Sequence, residues 1–331
     1  MEIKILENQN QWNKFLDDNN YLSFLQDFEY GEVEKNLGRE ILRLGIFEND
    51  LIGVCQLIGY QGKRGKGLVC HHGPVIKKEH FENGLSKILE FLKENNYFKK
   101  YDFLRINLAE PENLKIDFKK IGFILAPTYA VSENFWIKEI KNDEEMLKEM
   151  NDRHRKAVLD SLKKPFLEIE KTDNLEKFET FWSIYEDLAK RKNFVPYQKE
   201  FIKKEFEIFA KENKALFFLG KVENKYYSVA LIIFSHKLAF YHHSASYPIK
   251  EPLNYKLQWE IIQEAKKRGC KFYNFWGIAR KETSRHPWYG LTQFKKGFGG
   301  ELIKLFPTID YRFSGRYWLI YFWEKLKRKK L

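Results

Sequence analysis

One order of elements occurs twice in this chain, and the repetition constrains the fold more than any single motif. In the first half, ILRLGIF (41–47) reads as a strand, Glu48-Asn49-Asp50 as a turn and LIGVCQLIG (51–59) as a second strand. A third strand ends in His71-His72. Phe81, Leu85, Ile88, Leu89 and Leu92 then share one helical face, which predicts a helix near 79–95. YDFLRINL (101–108) is the next strand, followed by Phe118-Lys119-Lys120-Ile121-Gly122-Phe123. The second half runs in the same order: ALFFLGKV (215–222), a turn at Glu223-Asn224-Lys225, YYSVALIIF (226–234), and LAFYHH ending in His242-His243. A helix near 252–268 follows, with Pro252 suited to its first turn and Gly269 to its stop. KFYNFWGI (271–278) and Phe294-Lys295-Lys296-Gly297-Phe298 close the series. His71 and His242 stand 171 positions apart, Phe118 and Phe294 176 apart. Any α+β chain can repeat a β-turn-β-helix-β order, but five elements at near-constant offset support a duplication.

A chain of 331 residues has room for two domains at about 100–200 residues each. Between the repeats, about 143–212 reads as helical. DEEMLKEMNDRHRKAVLDSLKK (143–164) is predicted as one helix, with Asp143 as N-cap, Met146 at the third position, acidic residues at its start and basic ones at its end. Further helices are expected over 174–192 and 198–213.

Hydrophobic residues make up 44% of the chain and aromatics 17%, enough for a core in each half. Lys and Arg number 58 against 46 Asp and Glu, a net charge of +12. That surplus favours a polyanionic partner: nucleic acid, a phosphorylated metabolite or an anionic membrane. The N-terminus MEIKILENQNQWNKFL lacks the basic and apolar regions of a signal peptide. No apolar run approaches the roughly 18 residues of a membrane span. Cys55, Cys70 and Cys270 are odd in number and widely spaced, as core residues of a reducing compartment would be. The expected location is the cytoplasm.

Four features could carry chemistry. Gln61-Gly62-Lys63-Arg64-Gly65-Lys66-Gly67 fits the Q-x-x-R-G-x-G loop that cradles the coenzyme A pyrophosphate. That loop works between a strand and a helix N-terminus, whereas LVCHHGPV, which follows here, reads as a strand, so a hairpin turn fits better. Arg153-His154-Arg155-Lys156 with Lys163-Lys164 is either a clamp for phosphates or tRNA, or a solvated helix face. His71-His72 and His242-His243 sit at strand ends, where neighbours point to opposite faces. Neither pair is expected to chelate a metal, and none is assigned. The C-terminal RYWLIYFWEKLKRKKL places aromatics before a cluster of basic residues (Arg316, Lys325, Lys327, Arg328, Lys329, Lys330). It reads as a membrane-surface patch or as a core strand with a solvated terminal helix. No nucleophilic triad and no Walker loop stands out, so an enzyme of this sequence would take an activated substrate.

The block SYPIKEPLNYKLQWEIIQEAKKRGCKFYNFWGI with HPWYGLTQFKKGFGGELI resembles the signature of the Fem (FemABX) family, the aminoacyltransferases that build peptidoglycan interpeptide bridges. The residues that carry the resemblance are Ser244-Ala245-Ser246, Trp259-Glu260, Tyr273 to Ile278, Phe294-Lys295, and in the first half Phe24-Leu25-Gln26 and Gly73-Pro74. The resemblance implies an α/β (α+β) chain of two tandem acetyltransferase (GNAT)-like domains. The first would span 1–140 with a returning 305–331, and the second 141–304. No long antiparallel hairpin interrupts the helical stretch, so the chain is similar to the compact, arm-free members. Asn274 stands where the family usually has Asp, and Trp276 where it has Gly. His243 occupies the place of a tyrosine, and Tyr197 falls near that of an arginine.

What the resemblance implies for function is transfer of an amino acid from aminoacyl-tRNA to the stem peptide of UDP-MurNAc-pentapeptide or a lipid-linked precursor. The enzyme would be a monomer without a cofactor, with peripheral contact at the inner membrane surface left open. Lys295 would stabilise the oxyanion, and the Phe294 carbonyl would orient the attacking amine. Lys35, Arg43, Arg153 and Arg155 are candidate phosphate contacts, Tyr241 and His243 candidate lining of the peptide channel, and Tyr197 a further substrate contact. Two other classes remain open: an acyl-coenzyme A N-acetyltransferase using the Gln61–Gly67 loop, and a non-catalytic tRNA- or membrane-binding protein.

Overall fold

The computed structural model describes residues 1–62, 65–111, 115–129, 131–280 and 282–328. It divides into two compact units, Met1–Glu133 with Lys304–Leu331, and Asn134–Ile303.

The first unit opens with β1 (Glu2–Ile5), α1 (Gln9–Asp18), α2 (Phe28–Asn36), β2 (Glu40–Phe47) and β3 (Leu51–Gly62). It continues through β4 (Gly65–Cys70), β5 (Val75–Ile76), α3 (Phe81–Glu94), α4 (Tyr97–Lys100) and β6 (Phe103–Ile106). α5 (Phe118–Ile121) and β7 (Ile124–Leu125) follow. The second unit contains β8 (Asn134–Glu139), α6 (Asp143–Glu149), α7 (Asp152–Leu162), β9 (Leu167–Thr172), α8 (Phe178–Lys192) and α9 (Lys199–Lys211). Then come β10 (Ala215–Val222), β11 (Lys225–Ser235), β12 (Leu238–Ser246), α10 (Leu253–Lys267), β13 (Phe272–Gly277), α11 (Tyr289–Lys296) and β14 (Glu301–Lys304). β15 (Ile309–Arg312) and α12 (Tyr317–Arg328) return to the first unit.

The two sheets share one topology. The first runs β1-β2-β3-β4-β6-β15-β7, with β5 added to β3; the second, read from its other end, runs β9-β10-β11-β12-β13-β8-β14. In both, a connection containing a helix leads from the fourth strand of the sheet order to the fifth, which returns parallel: β4 with β6, and β12 with β13. The same faces are buried in each repeat. Leu85, Ile88, Leu89 and Leu92 of α3 pack against Leu44, Leu57, Leu68 and Leu104. Leu257, Ile261, Ile262 and Ala265 of α10 pack against Phe218, Ile232 and Tyr273. The second sheet's opposite face carries an aromatic stack, Phe217 against Phe178, Phe181 and Phe206.

Two expectations change. The predicted helix over 143–164 is two helices, because two asparagines cap it twice. Asn142, not Asp143, is the first N-cap: its Oδ1 accepts from the Glu145 N–H at 2.9 Å and its amide donates to the Glu145 carboxylate, which places Glu145 rather than Met146 third. Met150 is extended, and Asn151 Oδ1 accepts from the His154 N–H at 2.9 Å to start α7. β9 also interrupts the helical stretch, pairing with β10. Lys63 and Arg64 lie outside the described residues, but Gly62 and Gly65 beside them pair directly across antiparallel β3 and β4, in keeping with the hairpin turn read from the sequence. A strand follows there, where a pyrophosphate cradle would need a helix N-terminus.

Candidate active site

Lys295 lies in the last turn of α11, 5% exposed. Its Nζ donates to the Gly277 carbonyl at 2.6 Å, at the end of β13. That strand end is kinked: the β13–β8 register shifts between Asn274 and Gly277, and Trp276 sits at φ +63°. This is backbone that favours glycine, which is what the Fem resemblance expects at this position. The Asn274 Oδ1 holds the kink by accepting from the Trp276 N–H at 2.7 Å, and the Trp276 ring stacks on Phe135 at 5.1 Å. Burial pulls the Lys295 ammonium down to about 7, so cation and free amine coexist near neutral pH.

The Phe294 carbonyl has a partner that the sequence did not imply. It accepts a hydrogen bond from His154 Nε2 at 2.9 Å, which occupies one of its two lone pairs and leaves the other for an amine. His154 reads in sequence as part of a basic run. Its place three residues after a capping asparagine turns it inward instead, against Tyr255 at 5.0 Å and Phe298 at 4.9 Å. Burial holds its imidazole below the usual range. Gly297 leaves room for the ring: a Cβ there would stand 2.0 Å from His154 Cε1. Gly297→Ala should therefore cost about 1–3 kcal/mol through overpacking. Urea unfolding at neutral pH reads this directly, and an unchanged midpoint would mean the ring moves aside freely.

The exposed face of α7 forms a groove of about 480 Å³ lined by Arg153, Lys156, Ala157, Asp160, Lys163, Lys164 and Pro252. The helical spacing that brings Arg153 to Lys156 and Asp160 leaves Arg155 off this face, where it pairs with Asp152. Lys164 is paired with Glu251.

The other candidates fare unequally. Arg43 is 1% exposed. Its guanidinium donates to Gln56 Oε1, the Phe28 carbonyl, Glu7 and Glu32, over the Phe28 ring at 3.6 Å. It is an internal brace in β2, with four of its five N–H donors engaged. Lys35 is exposed in the last turn of α2. Tyr241 belongs to the core under α10, and burial pushes its phenol up to about 12.

His243 lies on the other side of the sheet from Tyr241, because β12 bulges. His243 pairs with Leu231 and Tyr241 with Ile232, leaving His242 as the extra residue. The alternation expected for neighbouring residues is lost, and the rings of His242 and His243 converge with centroids 3.9 Å apart. Both reach the buried Glu205 carboxylate of α9, at 3.1 and 3.2 Å. Two rings on one carboxylate is the arrangement the sequence had argued against, and these donor atoms lie within 4.8 Å of one another. The paired histidines hold the Glu205 carboxyl down at about 2 despite its burial. His243 itself is pulled down to about 4, chiefly by burial. Tyr197, half exposed, covers its ring at 5.1 Å. His71 and His72 do not converge. They occupy the turn after β4, His71 facing the Tyr60 hydroxyl at 3.1 Å and His72 facing Ser23 Oγ at 2.8 Å.

The FemAB family model matches residues 223–325, a stretch containing the kinked end of β13, Gly277 and Lys295. This part of the chain is similar to the FemAB family. The aminoacyltransferase FemA of Staphylococcus aureus (strain MW2) is 33% identical over 88 residues, which is 27% of this chain and 18% of that relative. A crystal structure of FemX superposes with a TM-score of 0.84 at 18% identity, over 97% of this chain and 99% of the other. A tandem GNAT protein from the clavulanic acid biosynthesis pathway gives 0.55 at 8% identity, over 95% and 98%. The fold of this chain is thus the tandem acetyltransferase-like one. Among the described residues, no helix is long and apolar enough to cross a membrane.

Proposed function

We propose that this chain is an aminoacyltransferase that moves an amino acid from charged tRNA onto an amine of a peptidoglycan stem peptide. The observation that carries the reading is the buried Lys295 Nζ against the Gly277 carbonyl, inside the segment that matches the FemAB family model; the relative FemA is an aminoacyltransferase by name. In the reaction, the neutral amine of the acceptor attacks the aminoacyl ester carbonyl. The C–N bond forms, the carbonyl electrons move onto oxygen, and the bond to the tRNA ribose oxygen breaks as that oxygen takes up the proton. The ester is already activated, so the protein has two tasks: alignment, and stabilisation of the oxyanion. A buried lysine cation suits the second, since its field is little screened there. The Phe294 carbonyl, with one lone pair bonded to His154 and one remaining, suits alignment of the amine. The α7 groove, with Arg153 and Lys156, suits the phosphates of tRNA or of a nucleotide- or lipid-linked acceptor.

The test is transfer from mixed charged tRNAs to such precursors, read by mass spectrometry, with RNase treatment of the donor pool. Transfer that survives RNase would end the tRNA-dependent reading. Arg153→Glu with Lys156→Glu should raise the KM of the phosphate-bearing substrate about tenfold with little change in kcat. The salt slope of tRNA affinity should shrink by about 0.7–0.9 for each phosphate no longer neutralised. Arg155→Glu should do neither. Equal effects of all three would return the helix to a merely solvated face.

A further inference from the structure

We infer that the outward face of α12 is a docking surface for an anionic phospholipid bilayer, on which the helix lies flat. The inner face is fixed to its own unit. Tyr317 and Ile320 are buried, the Tyr317 hydroxyl donates to Asp310 Oδ2 at 2.9 Å, and Arg105 bridges Asp310 and Glu324, each at 2.8 Å. The outer face is left apolar. Leu319 is 74% exposed, Leu326 63%, Phe322 57% and Trp318 38%. At 100° per residue these four form one continuous stripe, and a contiguous exposed apolar stripe marks an interaction site.

The charges around the stripe select the partner. The one acid of α12, Glu324, is turned inward onto Arg105. Lys325 and Lys327 are exposed and flank the stripe on opposite sides, lying over the Tyr321 and Trp323 rings at 5.7 and 4.5 Å. Arg312 lies over Trp318 at 5.8 Å. An apolar strip edged by aromatic rings and long cationic side chains matches the boundary between acyl chains and phosphate headgroups. A second copy of the chain would bring these cations against their own kind. With 12 residues, α12 is too short to span. The surface stands independently of the reaction proposed above.

Sedimentation of the full chain with vesicles tests it. Vesicles of phosphatidylglycerol mixed with phosphatidylcholine should bind roughly 100-fold more tightly than phosphatidylcholine alone, from three cations at the surface, and raised salt should release the protein. Leu319→Ser with Phe322→Ser alters exposed side chains, so its thermal midpoint should hold while vesicle binding falls at least about tenfold. Lys325→Glu with Lys327→Glu should erase the preference for phosphatidylglycerol. Equal binding to both vesicles, binding unchanged in these variants, or a self-association abolished by Leu319→Ser would each overturn the proposal.

Discussion

Replacing Lys295 with alanine is expected to lower turnover by about 10²–10³, the usual cost of one oxyanion-stabilising donor, while precursor binding changes little. The asymmetry follows from when the charge is needed. In the ground state Nζ is satisfied by the Gly277 carbonyl at 2.6 Å; the negative oxygen exists only near the transition state, so kcat should fall and KM stay close. Alanine also leaves the Gly277 carbonyl without this partner. Lys295→Met, which keeps the aliphatic volume, and a thermal midpoint for each variant separate lost chemistry from lost folding. Turnover near wild type in a folded Lys295→Met protein would remove this residue from the mechanism.

The same lysine sets a pH signature. Its ammonium is pulled from 10.5 down to about 7 by burial, so the cation is present below that value and disappears above it. Turnover should therefore show a descending limb near pH 7, opposed by an ascending limb as the acceptor amine loses its proton. Lys295→Arg keeps a charge at all accessible pH values, so whatever activity it retains should lack the descending limb. A rate that instead climbs through pH 7 in the wild type would assign Lys295 as the base that accepts the amine's proton.

The repeat was legible because apolar periodicity reports burial, and both sheets are built from the same buried faces. α3 and α10 formed where their spacing put them, and Gly269, at φ +73°, ends α10 as expected. The Phe-Lys signature singled out Lys295, which is buried against the Gly277 carbonyl; its role is the proposal made above. What escaped were features set by single hydrogen bonds or by register. Asn142 and Asn151 cut one amphipathic stretch into two helices, and a period cannot show a cap. The bulge at His242 reverses the side of every later residue in β12, so Tyr241 and His243 part company although their spacing says otherwise. Arg43 looked like a free cation because its partners Glu7, Glu32 and Gln56 come from elements that meet it only in the folded sheet. For the C-terminal run the sequence left two readings open, a membrane-surface patch and a core strand before a solvated helix, because an aromatic-rich run does not show which face is buried; Tyr317 and Ile320 are the buried ones.

Both units should lose stability steeply between pH 6.5 and pH 4. In the first, burial pulls His71 down to about 3 and His72 to about 4; in the second, burial pulls His243 to about 4, all from 6.5. A folded-state value below the unfolded one means the unfolded chain binds more protons in the interval, so stability rises with pH there. The contribution is complete above pH 6.5 and is lost as pH falls toward the folded values. At pH 5 this amounts to about 2 kcal/mol per histidine, a large share of the roughly 5–15 kcal/mol that holds a domain together. Glu205 does not share the window: held at about 2 against 4.5, its contribution persists until pH falls below 4.5. Urea midpoints at pH 7.5, 6, 5 and 4.5 should fall progressively over this range. His243→Phe removes one titrating ring while leaving His242 on Glu205; its midpoint should be lower at pH 7.5 yet decline less by pH 5. A wild-type midpoint that is flat from pH 7.5 to 5 would mean these rings take up protons in place, with water or Glu205 answering the charge.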